Sequence, residues 1–123
     1  MSNLEIKSHR GNYRVVFDNS DIKIENSSFV LIDSNVNKLY PSLTFGIDPD
    51  KIIIIEASEE NKSLEFCKNL ISLLLDKGIK KNHKLIAIGG GITQDVTGFV
   101  ASILYRGIGW LFYPTTLLAQ ADS

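Results

Sequence analysis

The sequence holds a single cysteine, Cys67, so it cannot form an internal disulfide. That excludes the small secreted scaffolds that staple a thin core with bridges. Neither charge is in excess: 13 Lys and Arg against 14 Asp and Glu leave a formal net charge of -1. A nucleic-acid footprint needs a basic excess, so no nucleic-acid partner is expected. No run approaches the ~20 apolar residues of a membrane-spanning helix, so no membrane partner is expected. The uncharged stretch from Gly107 to Ala121 is too short for one and contains Pro114, Thr115 and Thr116. The start, Met1 to Gly11, carries Glu5, Lys7, His9 and Arg10 and lacks the apolar centre of a signal peptide, which points to a cytoplasmic protein. The two histidines, His9 and His83, are far apart and belong to no H-x-x-x-H or C-x-x-C spacing, so no metal site is visible. No Ser-His-Asp or Cys-His set is apparent.

What remains is 123 residues, 44% of them hydrophobic, too apolar for disorder and long enough for one ordinary domain. Residues 1–27 read as short strands and turns, with strands at Tyr13–Asp18 and at Ile22–Glu25, the latter alternating with period two. From Phe29 the rhythm changes. Phe29–Ile32 is a short apolar run, and Val36 to Phe45 reads as a short helix interrupted by Pro41. Lys51–Ile55 contains four consecutive isoleucines, which predicts a strand covered on both faces. Leu64, Cys67, Leu70, Ile71 and Leu74 recur at helical spacing and end at Lys77-Gly78, the usual C-terminal punctuation. Lys84–Ile88 is a third strand, Thr93 to Arg106 a third helix and Trp110–Tyr113 a fourth strand. Pro114-Thr115-Thr116 opens one more helix. The resulting β-α-β-α-β-α-β-α order predicts an α/β fold with a parallel sheet and right-handed crossovers.

The residues able to carry chemistry cluster at one edge of such a sheet. Gly89-Gly90-Gly91 sits where a parallel strand hands over to a helix, so backbone N–H groups can approach a phosphate or pyrophosphate. The alternative is a tight turn with no ligand. The spacing matches neither the dinucleotide fingerprint, which wants a third glycine at position 94, nor a P-loop. Asp95, read as lying in the first turn of that helix with Thr93 as N-cap, serves either the helix dipole or a ligand hydroxyl. Thr115-Thr116 either cap a helix or meet a ribose or phosphate. Glu59 and Lys62 are either a solvated helix start or part of the same edge. Asp33 either caps a turn or joins them. Gly98, Ala101 and Ser102 form a small face suited to close packing on the sheet. Cys67, on the apolar face of its helix, reads as an inert buried thiol. Between Leu85 and Ala121 the charges are Asp95 and Arg106 alone.

Three blocks carry a resemblance: Gly89 to Ala101, Tyr105-Arg106-Gly107, and Pro114-Thr115-Thr116-Leu117-Leu118-Ala119-Gln120-Ala121-Asp122-Ser123. Together they resemble the 3-dehydroquinate synthase family. Ser58-Glu59-Glu60-Asn61-Lys62-Ser63-Leu64 is similar to its G-E-x-x-K-S-L segment and Asp33-Ser34-Asn35-Val36 to its D-x-N-V turn. The resemblance implies a Rossmann-like parallel sheet with flanking helices, preceded by short N-terminal strands and incomplete at the C-terminus. Residues 1–123 would be the N-terminal NAD-binding domain of a longer, dimeric protein. That protein would convert a seven-carbon sugar phosphate to 3-dehydroquinate in the shikimate pathway, using NAD and a divalent metal, zinc or cobalt. Carried over by position, Asp33, Glu59, Lys62, Gly90, Gly91, Ile92, Asp95, Thr115, Thr116 and Leu118 match NAD-contacting residues. Asp122 matches a residue near the nicotinamide and substrate, and Arg106 one that reaches the substrate phosphate across the dimer interface. The metal ligands lie in a helical domain absent from this sequence, so this chain by itself is expected to be inactive. Gln94 stands where the family's G-G-G-x-x-G-D has its fourth glycine. That bears on the substrate more than on the fold and leaves two alternatives, a cyclase acting on sedoheptulose 7-phosphate and a glycerol-dehydrogenase-like oxidoreductase. A freestanding nucleotide-binding module is the non-enzymatic alternative.

Overall fold

The computed structural model describes residues 3–8, 11–16 and 27–114, the first two segments as backbone. Strand β1 (Asn3–Ser8) and strand β2 (Gly11–Val16) form an antiparallel pair. Then follow β3 (Ser28–Asp33), α1 (Ser34–Leu39), β4 (Ile52–Ile55), α2 (Leu64–Asp76), β5 (Lys84–Gly89), α3 (Gly91–Ile103) and β6 (Trp110–Pro114). All six strands join one sheet in the order β1-β2-β6-β5-β3-β4, parallel throughout except for β1. The predicted strand at Tyr13–Asp18 is β2, shifted toward Gly11. It extends the parallel sheet beside β6, a pairing that the short N-terminal strands did not announce. The predicted strand at Ile22–Glu25 and the predicted helix after Pro114 lie outside the described residues.

The sheet is packed on both faces, which is why β3 and β5 read as unbroken apolar runs. Phe29, Leu31, Ile53, Ile55 and Leu85 face α2 and α3, together with Leu74 and Val100. Val30, Ile32, Ile86, Ile88 and Tyr113 face the other way, against Val36 of α1. Helix α2 starts with Ser63 accepting a hydrogen bond from Phe66 N–H at 3.1 Å. It stops where Gly78, at φ 92°, lets the chain turn left-handed. Gly78 N–H then donates to the Leu75 carbonyl and Ile79 N–H to the Leu74 carbonyl, the paired bonds that close a Schellman motif. Its buried residues Cys67, Leu70 and Leu74 form one stripe. Truncating fully buried Leu74 to alanine would cost about 2–5 kcal/mol. Gly98 lets α3 sit down on β6, since a Cβ there would lie 2.9 Å from the Trp110 ring.

Two expectations need correction. The four isoleucines of β4 are not covered on both faces. The strand lies at the sheet edge, and Ile54 is 55% exposed because the short α1 does not reach over it. The helix expected over residues 36–45 is only α1, six residues long. Pro41 has no N–H to continue the ladder, and the chain makes a 3-10 turn over Pro41–Thr44 instead.

Candidate functional site

Helix α1 lies on one face of the sheet and α2 and α3 on the other, while β4 and β5 flank β3 on opposite sides. The strand order therefore reverses between β3 and β5. Ligands of open α/β sheets bind outside the carboxyl ends of the strands at such a point. Asp33 ends β3 there and Gly89 ends β5.

The three glycines have different reasons to be glycine. A Cβ on Gly89 would lie 2.6 Å from Thr93 Oγ1, 2.9 Å from Thr93 Cβ and 3.1 Å from Asp33 Cβ, so packing alone forbids a side chain. At Gly90 and Gly91 a Cβ would meet nothing within 4 Å among the described residues. Gly90, the N-cap of α3, has φ -100° and ψ -159°, a backbone open to any residue. Neither crowding nor a left-handed turn calls for glycine at these two places. They leave clear space in front of a helix whose cap makes no side-chain hydrogen bond. The first backbone N–H returned to the helix is that of Gln94, to the Gly90 carbonyl at 3.0 Å. The N–H groups of Gly91, Ile92 and Thr93 precede it, and such first-turn donors suit an anion.

Around this space stand the carboxylate and the cation expected from the sequence. Asp33 is buried; its Oδ2 accepts from Val36 N–H at 3.1 Å and caps α1, whereas its Oδ1 is buried without a partner among the described residues. Thr93 and Thr97 are also buried, one helical turn apart on α3, with hydroxyls that have no partner among the described residues. A buried unsatisfied polar atom costs about 1–3 kcal/mol. Asp33 Oδ1 and Thr93 Oγ1 flank the same Gly89, at the switch point. Glu59 and Lys62 bound a 3-10 turn after β4. Lys62 Nζ lies 3.5 Å from Asp95 Oδ2, joining the second and third strand ends across the edge. Both side chains are largely exposed, so the pair adds at most about 1 kcal/mol of stability and stays accessible to a ligand.

The structure thus brings Asp33, Glu59, Lys62, Gly90, Gly91, Ile92 and Asp95 to one edge. It changes two local assignments. Thr93 is not the N-cap: the helix begins at Gly91, two residues earlier, and Thr93 points into the core. Asp95 therefore lies beyond the first turn, and its partner is Lys62 rather than the helix terminus. Thr115, Thr116, Leu118 and Asp122 lie outside the described residues. Arg106 is not part of this edge. Helix α3 runs 13 residues away from it, about 20 Å at 1.5 Å per residue, and Arg106 follows its far end. The helix stops at Ile103 instead of running on to Arg106. Tyr105 and Arg106 take positive φ, 50° and 67°, before Gly107 at 119°. Left-handed backbone costs roughly 1–2 kcal/mol at each non-glycine residue, and nothing in the sequence signalled it there. Cys67 is buried as expected, and burial pushes its thiol pKa up. Among the described residues no group of three or more His, Cys, Asp or Glu could hold a metal ion, and no helix is long and apolar enough to cross a membrane.

Known proteins share this architecture and sequence. A solved structure of 2-deoxy-scyllo-inosose synthase superposes with a TM-score of 0.70 over 98% of this chain and 38% of that one, at 24% identity. The 2-epi-5-epi-valiolone synthase of Streptomyces hygroscopicus subsp. jinggangensis, solved with NAD+ and Zn2+ bound, superposes with a TM-score of 0.68 over 89% of this chain and 34% of that one, also at 24% identity. At that identity the likeness speaks for the fold, the Rossmann-like α/β sheet with flanking helices. Among curated proteins, the 3-dehydroquinate synthase of Pelagibacter ubique is 37% identical over 134 residues, covering 98% of this chain and 36% of its own length. That of Alkaliphilus metalliredigens is 40% identical over 97 residues, covering 76% of this chain and 27% of its own. The chain spans about a third of the length of these relatives. The family model described as 3-dehydroquinate synthase N-terminal matches residues 52–123, from the first residue of β4 through the glycine edge. With that match over more than half its length, the chain belongs to the 3-dehydroquinate synthase family.

Proposed function

We propose that this chain is the NAD-binding domain of a 3-dehydroquinate synthase. The parent protein would convert a seven-carbon sugar phosphate to 3-dehydroquinate with loss of phosphate. One observation carries the cofactor reading: at Gly90 and Gly91 neither backbone conformation nor packing among the described residues calls for glycine. The residues present fit a dinucleotide. First-turn N–H groups of α3 would hold the pyrophosphate, and Asp33, Glu59 and Asp95 would accept from hydroxyls. Lys62 would offset phosphate charge, Ile92 would supply apolar contact, and Thr115, Thr116 and Leu118 would complete the surface. NAD, when bound, supplies a hydride acceptor that returns its hydride within the turnover. Asp33 Oδ1, buried beside the glycines without a partner among the described residues, would accept from a cofactor hydroxyl.

The divalent metal is a different matter. The described residues offer no ligand set for zinc or cobalt, so no step is assigned to a metal here. Any such ion is proposed to be held elsewhere in the parent protein. Residues 1–123 alone are therefore expected to bind NAD without turnover. Asp122 is proposed to lie near the substrate. Arg106, about 20 Å from the glycine edge along α3, is proposed to serve the substrate phosphate of a second copy in a homodimer. A guanidinium matches phosphate geometry, which suits it to that contact.

The test is an assay of the complete protein with NAD and the seven-carbon substrate. Phosphate release without net NADH is expected, because the hydride is returned. Net NADH accumulation would refute the cyclase reading. Gln94 favours a second reading, a related cyclase with another substrate. It is half-buried in the first turns of α3, where the family's pattern has a glycine without a side chain. Turnover of sedoheptulose 7-phosphate in preference to the seven-carbon acid substrate would establish that reading instead.

A further inference from the structure

We infer that Tyr105 is a positioning residue for Arg106: its phenol clamps the left-handed backbone that presents the guanidinium. This inference rests on the proposed role of Arg106 toward the substrate phosphate. Two adjacent non-glycine residues hold positive φ at the end of α3. Such strain persists only where surrounding structure over-determines it. Three contacts do so here. Gly107 N–H donates to the Leu104 carbonyl at 2.7 Å, and Ile108 N–H to the Ala101 carbonyl at 2.9 Å. The first closes a turn whose two central residues are Tyr105 and Arg106, and the second ties the chain after that turn back to α3. The third fixes that turn against a second element. Tyr105 Oη donates to the Ile79 carbonyl at 2.7 Å, across 26 residues of sequence.

Ile79 is a firm anchor. Its side chain is 1% exposed in the core, and its N–H closes the end of α2 on the Leu74 carbonyl. The phenol therefore ties the α3–β6 turn to the end of α2. Were Tyr105 to continue the right-handed helix, its ring would swing away from Ile79 and Arg106 would rotate with it. Arg106 itself is exposed and has no ion pair or side-chain hydrogen bond among the described residues. Among the described residues the guanidinium is unpaired, and it stands exposed on this clamped, left-handed turn. The direction in which it points depends on the clamp.

The experiment uses the complete, metal-loaded synthase and compares Tyr105→Phe, Arg106→Ala and the double variant. Tyr105→Phe keeps the ring and removes one hydrogen bond. It is expected to raise KM for the sugar phosphate about fivefold, with kcat and NAD affinity unchanged. In the Arg106→Ala background, where KM is already raised far more, Tyr105→Phe is expected to add nothing. A KM unchanged in Tyr105→Phe, or raised equally in both backgrounds, overturns the inference while leaving the role of Arg106 intact. An Arg106→Ala variant with unaltered KM would overturn that role, and the inference with it.

Discussion

Alanine substitutions at Gly89 and Gly91 are expected to act in opposite directions, although the two positions are separated by one residue. At Gly89 the new Cβ would be 2.6 Å from Thr93 Oγ1, 2.9 Å from Thr93 Cβ and 3.1 Å from Asp33 Cβ. None of these atoms can move away cheaply. Thr93 is fully buried on α3, and Asp33 is held at the end of β3 by its cap on α1. Overpacking of this kind costs about 1–3 kcal/mol, which lowers the urea midpoint. At Gly91 the new Cβ meets nothing within 4 Å among the described residues, and the residue is the first of α3. Alanine there restricts the unfolded chain and favours the helix, so stability should rise by about 0.4–1 kcal/mol. The same methyl enters the space assigned to the pyrophosphate. NAD affinity should fall at least tenfold, a loss of about 1.4 kcal/mol in binding. Urea unfolding without nucleotide and calorimetric titration with NAD, both on the complete protein, separate the two quantities. A Gly91→Ala variant that binds NAD normally would refute the claim that this space belongs to the cofactor. A Gly89→Ala variant as stable as the parent would refute the packing argument.

Three further outcomes are expected. Thr97→Val replaces a buried, unpartnered hydroxyl by a methyl of similar size and should stabilise by about 1 kcal/mol in urea unfolding; a loss would mean that the hydroxyl has a partner. Lys62→Met removes one member of an exposed pair, so stability should change by less than about 0.5 kcal/mol while NAD affinity drops several-fold; normal NAD titration would remove Lys62 from the site. Burial raises the Cys67 thiol pKa, so the folded state holds its proton more tightly than the unfolded state. That contribution to stability is fully present below the unfolded thiol pKa and is lost as pH rises through the folded one. At neutral pH a thiol reagent should therefore modify Cys67 only as fast as the protein unfolds; rapid labelling of the folded protein would contradict this.

The parts of the fold set by local pattern were legible in the residues. The 3.6-residue period of Cys67, Leu70 and Leu74, Ser63 before it and Gly78 after it define α2 almost to its ends. The convergence of Asp33, Glu59, Lys62 and Asp95 followed from the alternation of strands and helices, which puts every parallel strand end on one edge. Less legible were features decided by neighbours distant in sequence. Four isoleucines read alike whether a strand is central or at an edge, and only the order of strands leaves Ile54 exposed. Thr93 has the chemistry of an N-cap. Because α3 begins at Gly91, it lies inside the helix, against Gly89 and Asp33. The triple glycine read as one motif, yet it holds one packing glycine and two that guard open space. Tyr105 stood in a block that carried the resemblance, but its contact was not legible, since its partner lies 26 residues away and its backbone departs from the helical pattern that precedes it.

Helix α3 also constrains how the proposed activity can be assembled. It is short and stiff, seated on the sheet through Gly98 against Trp110, and anchored at its far end by Leu104 and Ile108 in the core. Its ends therefore keep a fixed separation of about 20 Å, well beyond the length of a sugar phosphate. Gly91 and Arg106 of one chain cannot touch the same small substrate without breaking that packing. A guanidinium acting in a second copy's site, as proposed, is compatible with that separation, and mixing chains tests it. Arg106→Ala chains mixed with chains defective at the glycine edge should then regain activity in the heterodimers, which pair one intact cofactor edge with one intact arginine. Absence of such complementation, with heterodimers shown to form, would refute the shared-site arrangement.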